Sequence, residues 1–597
     1  MSTATEPLAA SPVLPEAARR ARAGRGWWWL ATAVVALVMT AVFTWPLPIQ
    51  LDNVYKPHLR GQRLATTPYV PPYSASDALQ TAFIQTQVID NLLHLREPFL
   101  DRDEGAAGPA PLRTTSLDTP WIALTALVWP LLGLAAAYNL MLLLGSALTV
   151  VAAMGLLRRH TRWPLLALAG ACLYAFVPYR MVQLAGHFNA VMWWALPAVA
   201  WAFEVMLERW REGGRWRVPA AWLVAVTLTV GVSGEFHLTM YTAGLLVWLA
   251  VWSFAAARLA HRPVPWVPLA LAVGAAAAAC LYSLLAFRLA FHGGVAGANG
   301  DYREVILYAP GSLGALVRKM PGANGEGYIY MGWAVVLLAA TGWVLALRLP
   351  RARAYAALAP VLLLLTFGPT IRHLSDRFGL GTWDPYRLIV HALPPLRLQR
   401  VPGRIMVLTA MVLVLLAVVA VDALGRLAAE RSAALPRAGA VLLLAGTVWV
   451  THDYMVMGSS AMPSLSDNRV VSALASAGDR EGPILGLPVM PQEWPLNSAT
   501  TFLAAQAGRA TLNAYNQTSA PWLAARNERL APLNGGIVTD EALAVLRATG
   551  TRQLVVIDGQ SGSKPGQARA VADRLVASGH FQRVTFDDPL TLLRFTG

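Results

Sequence analysis

Glu235 and His237 stand in the stretch Ser233-Gly234-Glu235-Phe236-His237, at the edge of a long apolar run. Charged groups at membrane depth are costly and usually functional, so an acid and a base two residues apart are candidates for a polar site facing a cavity. Interfacial snorkelling is the plain alternative. Tyr179-Arg180 and Gly186-His187 fall between two other apolar runs. An arginine and a histidine there suit a phosphate held by charge-assisted hydrogen bonds. Arg397, Arg400 and Arg404 form a third group just ahead of a further run. Guanidinium forks match anionic headgroups and pyrophosphate in a way that single ammonium groups do not. Asp77 follows Ser76 at the start of a helical pattern, where a carboxylate acts either as a general base or simply as a helix cap. Asp101, Asp103 and Glu104 form an acidic triplet, and Asp-x-Asp offers oxygen ligands to a divalent cation, although such runs are usually just solvated.

What must position these residues is a membrane. Of 597 residues, 56% are hydrophobic and only 14% are charged. A soluble protein is about a quarter charged. The apolar residues come in runs near 20 long, such as 27–47, 264–285 and 405–421. At about 1.5 Å per residue, such runs match the bilayer's hydrocarbon thickness. The run at 27–47 follows Arg19, Arg20, Arg22 and Arg25, as a signal peptide would. It is too long for one and lacks a small-residue cleavage site, so it reads as a retained first span. Cys172 and Cys280 both fall inside apolar runs and read as packing residues.

Hydropathy gives twelve apolar segments, centred near residues 37, 128, 148, 171, 197, 225, 247, 275, 338, 361, 414 and 446. The net charge of +15, from 48 basic and 33 acidic residues, collects in short loops beside these runs. It therefore sets orientation, and nucleic acid is not expected as a partner. The arginine-rich N-terminus and the basic loops 158–162, 208–217, 258–262, 348–353 and 426–437 belong on the cytoplasmic side. They all share that side only if one segment before Arg158 fails to cross. The segment at 121–137 is short, holds Pro130 and Gly133, and is joined to the next with almost no linker. The expectation is about eleven spans plus this re-entrant or juxtamembrane helix. The N-terminus is then inside, and all the candidate residues lie on the outer face.

Residues 1–24 read as a disordered cytoplasmic start, and residues 25–460 as the membrane domain. A long first outer loop occupies 48–119, in which Ala78, Ala82, Gln85, Ile89, Leu92 and Leu93 predict an amphipathic helix fit to lie in the interface plane. From about Pro463 the apolar runs become short and β-like, at 484–489, 511–515, 553–557, 584–586 and 590–595, with helical patterns at 539–548 and 566–578. Residues 463–597 therefore predict an extracytoplasmic α/β domain.

Four stretches together resemble a known superfamily. They are Ser76-Asp77-Ala78-Leu79-Gln80; Tyr138-Asn139-Leu140; residues 175–180 through Gly186-His187 to Trp193-Trp194-Ala195-Leu196-Pro197; and Leu396-Arg397 through Arg400-Val401-Pro402-Gly403-Arg404. The chain resembles the GT-C membrane glycosyltransferases, in the bacterial branch near protein mannosyltransferases and lipid A aminoarabinose transferases. The resemblance implies a multi-pass protein of the bacterial cytoplasmic (inner) membrane, surrounded by membrane lipids. It implies a polyprenyl-phosphate-sugar donor, an extracytoplasmic acceptor (glycan, lipid or protein) and inverting transfer. Asp77 matches the first-loop acid that deprotonates or orients the acceptor. Arg180, His187, Arg400 and Arg404 match basic groups that stabilise the leaving lipid phosphate. Many relatives carry a second acid beside the first, where this chain has Ser76 and Ala78. Dependence on a divalent cation, magnesium or manganese, through Asp101 and Asp103 is left open. Two other function classes remain in view. A lipid or glycan flippase would place charges near the membrane midplane and carry inverted repeats. An inactive assembly scaffold would make Asp77 dispensable.

Overall fold

Backbone amides in hydrocarbon find no water, so an apolar run there satisfies its hydrogen bonds internally as a helix. The computed structural model describes residues 16–45, 47–49, 51, 77–96, 100–101, 110–111, 119–184, 188–233, 235–290, 313–318, 329–368, 385–392, 401–431, 468–477, 482–490, 497–514, 521–558, 567–587 and 590–597. Eleven of the twelve apolar segments fall on described residues, and all eleven are helical; the segment near 446 lies outside them. Among the described residues, five helices are long and apolar enough to cross a membrane by length and composition. Six more stretches are apolar but shorter, among them Trp27–Phe43, Pro120–Leu132 and Pro164–Ala175.

Helix α1 runs Glu16–Phe43. It begins inside the stretch expected to be disordered, because Ala17, Ala18, Arg19 and Arg20 are strong helix formers that extend the apolar helix backwards. Helix α2 is Asp77–Leu93 and α3 is Thr119–Leu132, with Pro130 inside it. Only Gly133, at φ +81°, separates α3 from α4, Leu134–Leu157. Asn139 Nδ2 donates to Leu51 O at 2.8 Å, so the segment after α1 and the first turns of α4 lie at one end of the bundle. Then come α5 (Pro164–Ala175), α6 (Pro178–Leu184), a 3-10 segment at Phe188–Trp194, and α7 (Ala195–Arg211). Next are α8 (Arg217–Val232), α9 (Phe236–Leu259), α10 (Trp266–Ala290), α11 (Trp333–Ala346) and α12 (Arg353–Phe367). Helix α13 (Pro385–Ala392) and a 3-10 turn (Pro402–Ile405) lead into α14 (Met406–Arg431).

Helix α14 is the bundle's central member. Residues 405–420 are all buried, against α11, α12 and α5. A helix apolar on every side belongs in such a place. Close approach needs small residues: a Cβ on Gly342 of α11 would lie 1.8 Å from Leu416 O of α14. The peripheral helices turn large apolar side chains outward, including Leu37 of α1, Val251 of α9 and Leu337 of α11. Such faces suit lipid rather than water.

The first-loop helix α2 forms where the spacing places it, yet it does not lie free in an interface plane. Phe83, Ile84, Val88 and Ile89 are buried with Ile122 of α3, and Ala505 packs on the same cluster. Part of the face predicted to meet the interface meets protein instead: Ala82, Gln85 and Ile89 are buried, while Leu92 and Leu93 stay exposed.

The C-terminal stretch builds helix α15 (Arg469–Ala477), strand β3 (Ile484–Leu487), helices α16 (Asn497–Gln506) and α17 (Pro521–Leu530), then α18 (Asp540–Thr549). Strand β4 (Gln553–Ile557), helix α19 (Gln567–Ala577), and strands β5 (Phe581–Asp587) and β6 (Leu590–Phe595) complete it. (Strands β1, Leu100–Asp101, and β2, Ala110–Pro111, form a short antiparallel pair in the first loop.) The sheet order is β3-β4-β6-β5, parallel between β3 and β4 and antiparallel elsewhere. Side chains alternate: Ile484, Val555, Ile557, Leu590 and Leu592 join the core that continues into the bundle, while Leu485, Leu554, Val556 and Leu593 face a second core with α18 and α19. Thr539 caps α18 by accepting from Ala542 N, and Gly550 closes it at φ +68°. Of the predicted strand at 511–515, the described residues 511–514 contribute a bridge, Thr511 to Ile484.

Candidate functional site: a cavity at the start of α9

The cavity is built where four chain segments meet. Helix α6 presents Tyr179 and Gln183, one turn apart on one face. The 3-10 segment adds Trp193, whose ring stacks on Tyr179 with centroids 5.7 Å apart. The start of α9 supplies Glu235, His237, Leu238 and Tyr241. The 3-10 turn and α14 supply Arg404 and Val407. The enclosed space is about 20 Å³. That volume holds one water, or one oxygen of a larger anion seated at the mouth.

Each wall has a local cause. Glu235 is the extended residue immediately ahead of α9. Its Oε1 lies 3.1 Å from His237 Nδ1, and its side chain is only 6% exposed. Ser233 Oγ donates to Val230 O, and Thr239 Oγ1 donates to Glu235 O at 2.9 Å, which fixes the corner between α8 and α9. On the facing side, Pro402 opens the turn that carries Arg404. Gly368, at φ +52°, ends α12 against it; a Cβ there would meet Pro402 Cγ at 2.6 Å. Thr366 and Thr409, 2.7 Å apart, tie α12 to α14 just beneath.

Three of the residues singled out in the sequence therefore converge: Glu235, His237 and Arg404. Arg180 does not join them. It is fully buried, donating from Nη1 to Ala175 O at 2.8 Å and Ser146 Oγ at 3.3 Å, and from Nη2 to Ala190 O at 3.2 Å. It clamps α4, α5 and the 3-10 segment together instead of reaching a ligand. The physical reason is helix phase: Tyr179 and Gln183 face the cavity, and the intervening Arg180 points into the bundle. His187, Arg400 and Asp103 lie outside the described residues. Asp77 begins α2 and Asp101 pairs with Ala110 in the short ladder. Helix α2 touches the 3-10 segment that also supplies Trp193, and Trp121 of α3 donates to Met192 Sδ in that segment. Among the described residues no three His, Cys, Asp or Glu side chains gather as a metal site. Gln183, Trp193 and Tyr241 were not singled out. A turn's spacing from Tyr179 and from His237 respectively would have pointed to Gln183 and Tyr241.

Comparison with solved structures decides the architecture. The oligosaccharyltransferase AglB of Archaeoglobus fulgidus aligns with a TM-score of 0.50 over 93% of this chain and 73% of its own, at 13% identity. A second AglB structure, in complex with an inhibitory peptide and a dolichol-phosphate, aligns at 0.50 over 94% of this chain. The chain has the GT-C fold. ArnT of Cupriavidus metallidurans bound to undecaprenyl phosphate aligns over 95% of this chain and 98% of its own, at 14% identity and a TM-score of 0.45. No protein-family model and no curated protein matches the sequence. Within the GT-C fold of this chain, the cavity lies at the end of the bundle where α5 stops and α9 starts.

Proposed function

We propose that the protein is an inverting glycosyltransferase that moves a sugar from a polyprenyl-phosphate donor to an acceptor outside the cytoplasmic membrane. The observation that carries this is the convergence of Glu235, His237 and Arg404, from segments far apart in sequence, on one cavity of a GT-C fold. That an AglB structure holds a dolichol-phosphate supports a lipid phosphate as the donor class. In this reading the donor phosphate lies at the cavity mouth, with one oxygen inside. Arg404 and His237 face that oxygen, and Glu235 holds the His237 ring in place through the contact at 3.1 Å. The acceptor hydroxyl or amine attacks the sugar C1 while the C1–O bond to the phosphate breaks. Charge grows on the departing phosphate, and a fixed guanidinium stabilises it more in the transition state than in the ground state. Asp77 takes the acceptor's proton. Arg400 and His187 extend the basic lining. The contact of Asn139 with Leu51 brings α1's exit and α4's entry to a common end, which supports a non-crossing α3; in this reading that end, with the cavity, faces outward. Asp101 and Asp103 are reserved as ligands should transfer need a divalent cation.

The test is transfer by purified protein from a polyprenyl-phosphate sugar in detergent. Arg404→Gln is expected to lower kcat/KM about a hundredfold. Asp77→Asn is expected to lower kcat by about a hundredfold or more, with the donor KM little changed. Full activity of Asp77→Asn would remove its assignment as base, and full activity of both variants would end the reading.

A further inference from the structure

A second cavity, of about 550 Å³, opens at the opposite end of the bundle, around the turn between α4 and α5. Its size falls within the range of ordinary ligand sites, roughly 300 to 1,000 Å³. Arg158, Arg159, Arg162, Arg351 and Arg426 line it, with His160. Three carboxylates hold some of these cations. Glu204 Oε2 accepts from Arg159 Nε at 2.7 Å, and Glu208 accepts from Arg159 at 2.9 Å and from Arg351 at 2.7 Å. Asp422 accepts from Arg426 Nε at 2.8 Å. Arg158 and Arg162 pair with none of the described carboxylates; Arg158 Nη1 donates to Arg162 O at 3.2 Å. Burial pushes the Arg158 guanidinium below its ordinary value.

The turn is also anchored more firmly than an orientation signal requires. Buried Asp422 accepts from Thr161 Oγ1 at 2.7 Å and from Arg162 N at 3.1 Å. Glu204 Oε1 accepts from Tyr355 Oη at 2.7 Å and lies 3.0 Å from His160 Nε2. Positive charge near a helix end orients a membrane protein whatever its geometry, and lysine serves as well as arginine. Here the backbone under Arg158 and Arg162 is fixed from two sides, and with no ion pair to a described carboxylate both guanidiniums keep N–H donors for an outside partner beyond the one bond from Arg158 to Arg162 O. Forked donors at fixed positions suit a phosphate group.

We infer that this cavity, on the face opposite the candidate transfer site, binds a phosphate-bearing anion through Arg158 and Arg162. Two sources share that chemistry: the headgroup of an anionic phospholipid and a soluble phosphate or pyrophosphate. The inference is independent of the transfer reaction. Its test uses the full-length protein in neutral detergent, with native mass spectrometry counting bound phosphatidylglycerol and equilibrium dialysis measuring inorganic pyrophosphate. Wild type is expected to bind one of the two about tenfold more tightly than R158Q/R162Q. Phosphatidylglycerol retained in millimolar phosphate assigns the lipid headgroup, and pyrophosphate binding without a phosphatidylglycerol preference assigns the soluble anion. R158K/R162K keeps the charge and the chain's orientation, and is expected to bind more weakly than wild type. Equal binding of both probes by wild type and R158Q/R162Q overturns the inference. So does lysine performing as well as arginine, because net charge alone would then explain the binding.

Discussion

Arg180 and Arg404 are the same residue type, each in a stretch that resembles the family, and the structure gives them opposite work. Arg180 is enclosed among Ala175 O, Ser146 Oγ and Ala190 O. Arg404 lines a cavity with an acid and a histidine. Removing Arg180 orphans acceptors inside the bundle, at about 1–3 kcal/mol for each one left without a donor. Arg180→Ala is therefore expected to lower the thermal unfolding midpoint in detergent while leaving the donor KM of the folded fraction near wild type. Arg404→Gln is expected to do the reverse. A raised donor KM in Arg180→Ala with an unchanged midpoint would return Arg180 to the ligand set. No sequence pattern separates the two, because helix phase around residue 180 depends on where α6 starts after Val177.

Among the elements, the turn that carries Arg404 is held by the end of another helix. Gly368 occupies a left-handed conformation and leaves room for Pro402. Gly368→Ala adds both strain and a contact with Pro402. It is expected to raise the donor KM several-fold, to about tenfold, with kcat less affected, as a positioning residue should. An unchanged donor KM would mean that the turn tolerates the shift. Gly342 has a different role, bringing α11 against the backbone of α14. Gly342→Leu is expected to destabilise the helix pair by about 3 kcal/mol or more through overpacking, read as lost folded yield and a lower unfolding midpoint. Helix α2 teaches a related lesson. Its period was legible from Ala78 through Leu93, but not its partner, since lipid and protein ask for the same apolar face.

For the whole molecule, the apolar core runs without a break from the helix bundle into one face of the C-terminal sheet. Helix α16 lies against α2, the element that begins with Asp77. Ala505→Asp would place a carboxylate beside Phe83, Ile84 and Val88, where no partner among that apolar cluster can hydrogen-bond it. It is expected to loosen the sheet from the bundle, detected as faster proteolysis between the two, and to slow transfer if α2 needs that brace. Orientation has its own check. A reporter fused after Gly597 is expected to signal from outside the cytoplasm, and a cytoplasmic signal would end the eleven-span scheme.

By itself the sequence determined the medium and the apolar helices that fall on described residues, but not the helices at Arg469–Ala477, Asn497–Gln506 and Pro521–Leu530. Runs of about 20 apolar residues leave a chain no option but helices in lipid, and strands at 553–557 and 590–595 follow from short apolar runs, the first rich in β-branched residues, between turns. Arginine placement fixed an expected orientation, because charge beside a span acts locally. Tertiary structure decided what touches what. It joined Glu235 and His237 to Arg404 across more than 160 positions, enclosed Arg180 inside the bundle, and gathered five arginines into a cavity at the far end. Those outcomes depend on helix phase and on close packing through single glycines, which hydropathy averages away.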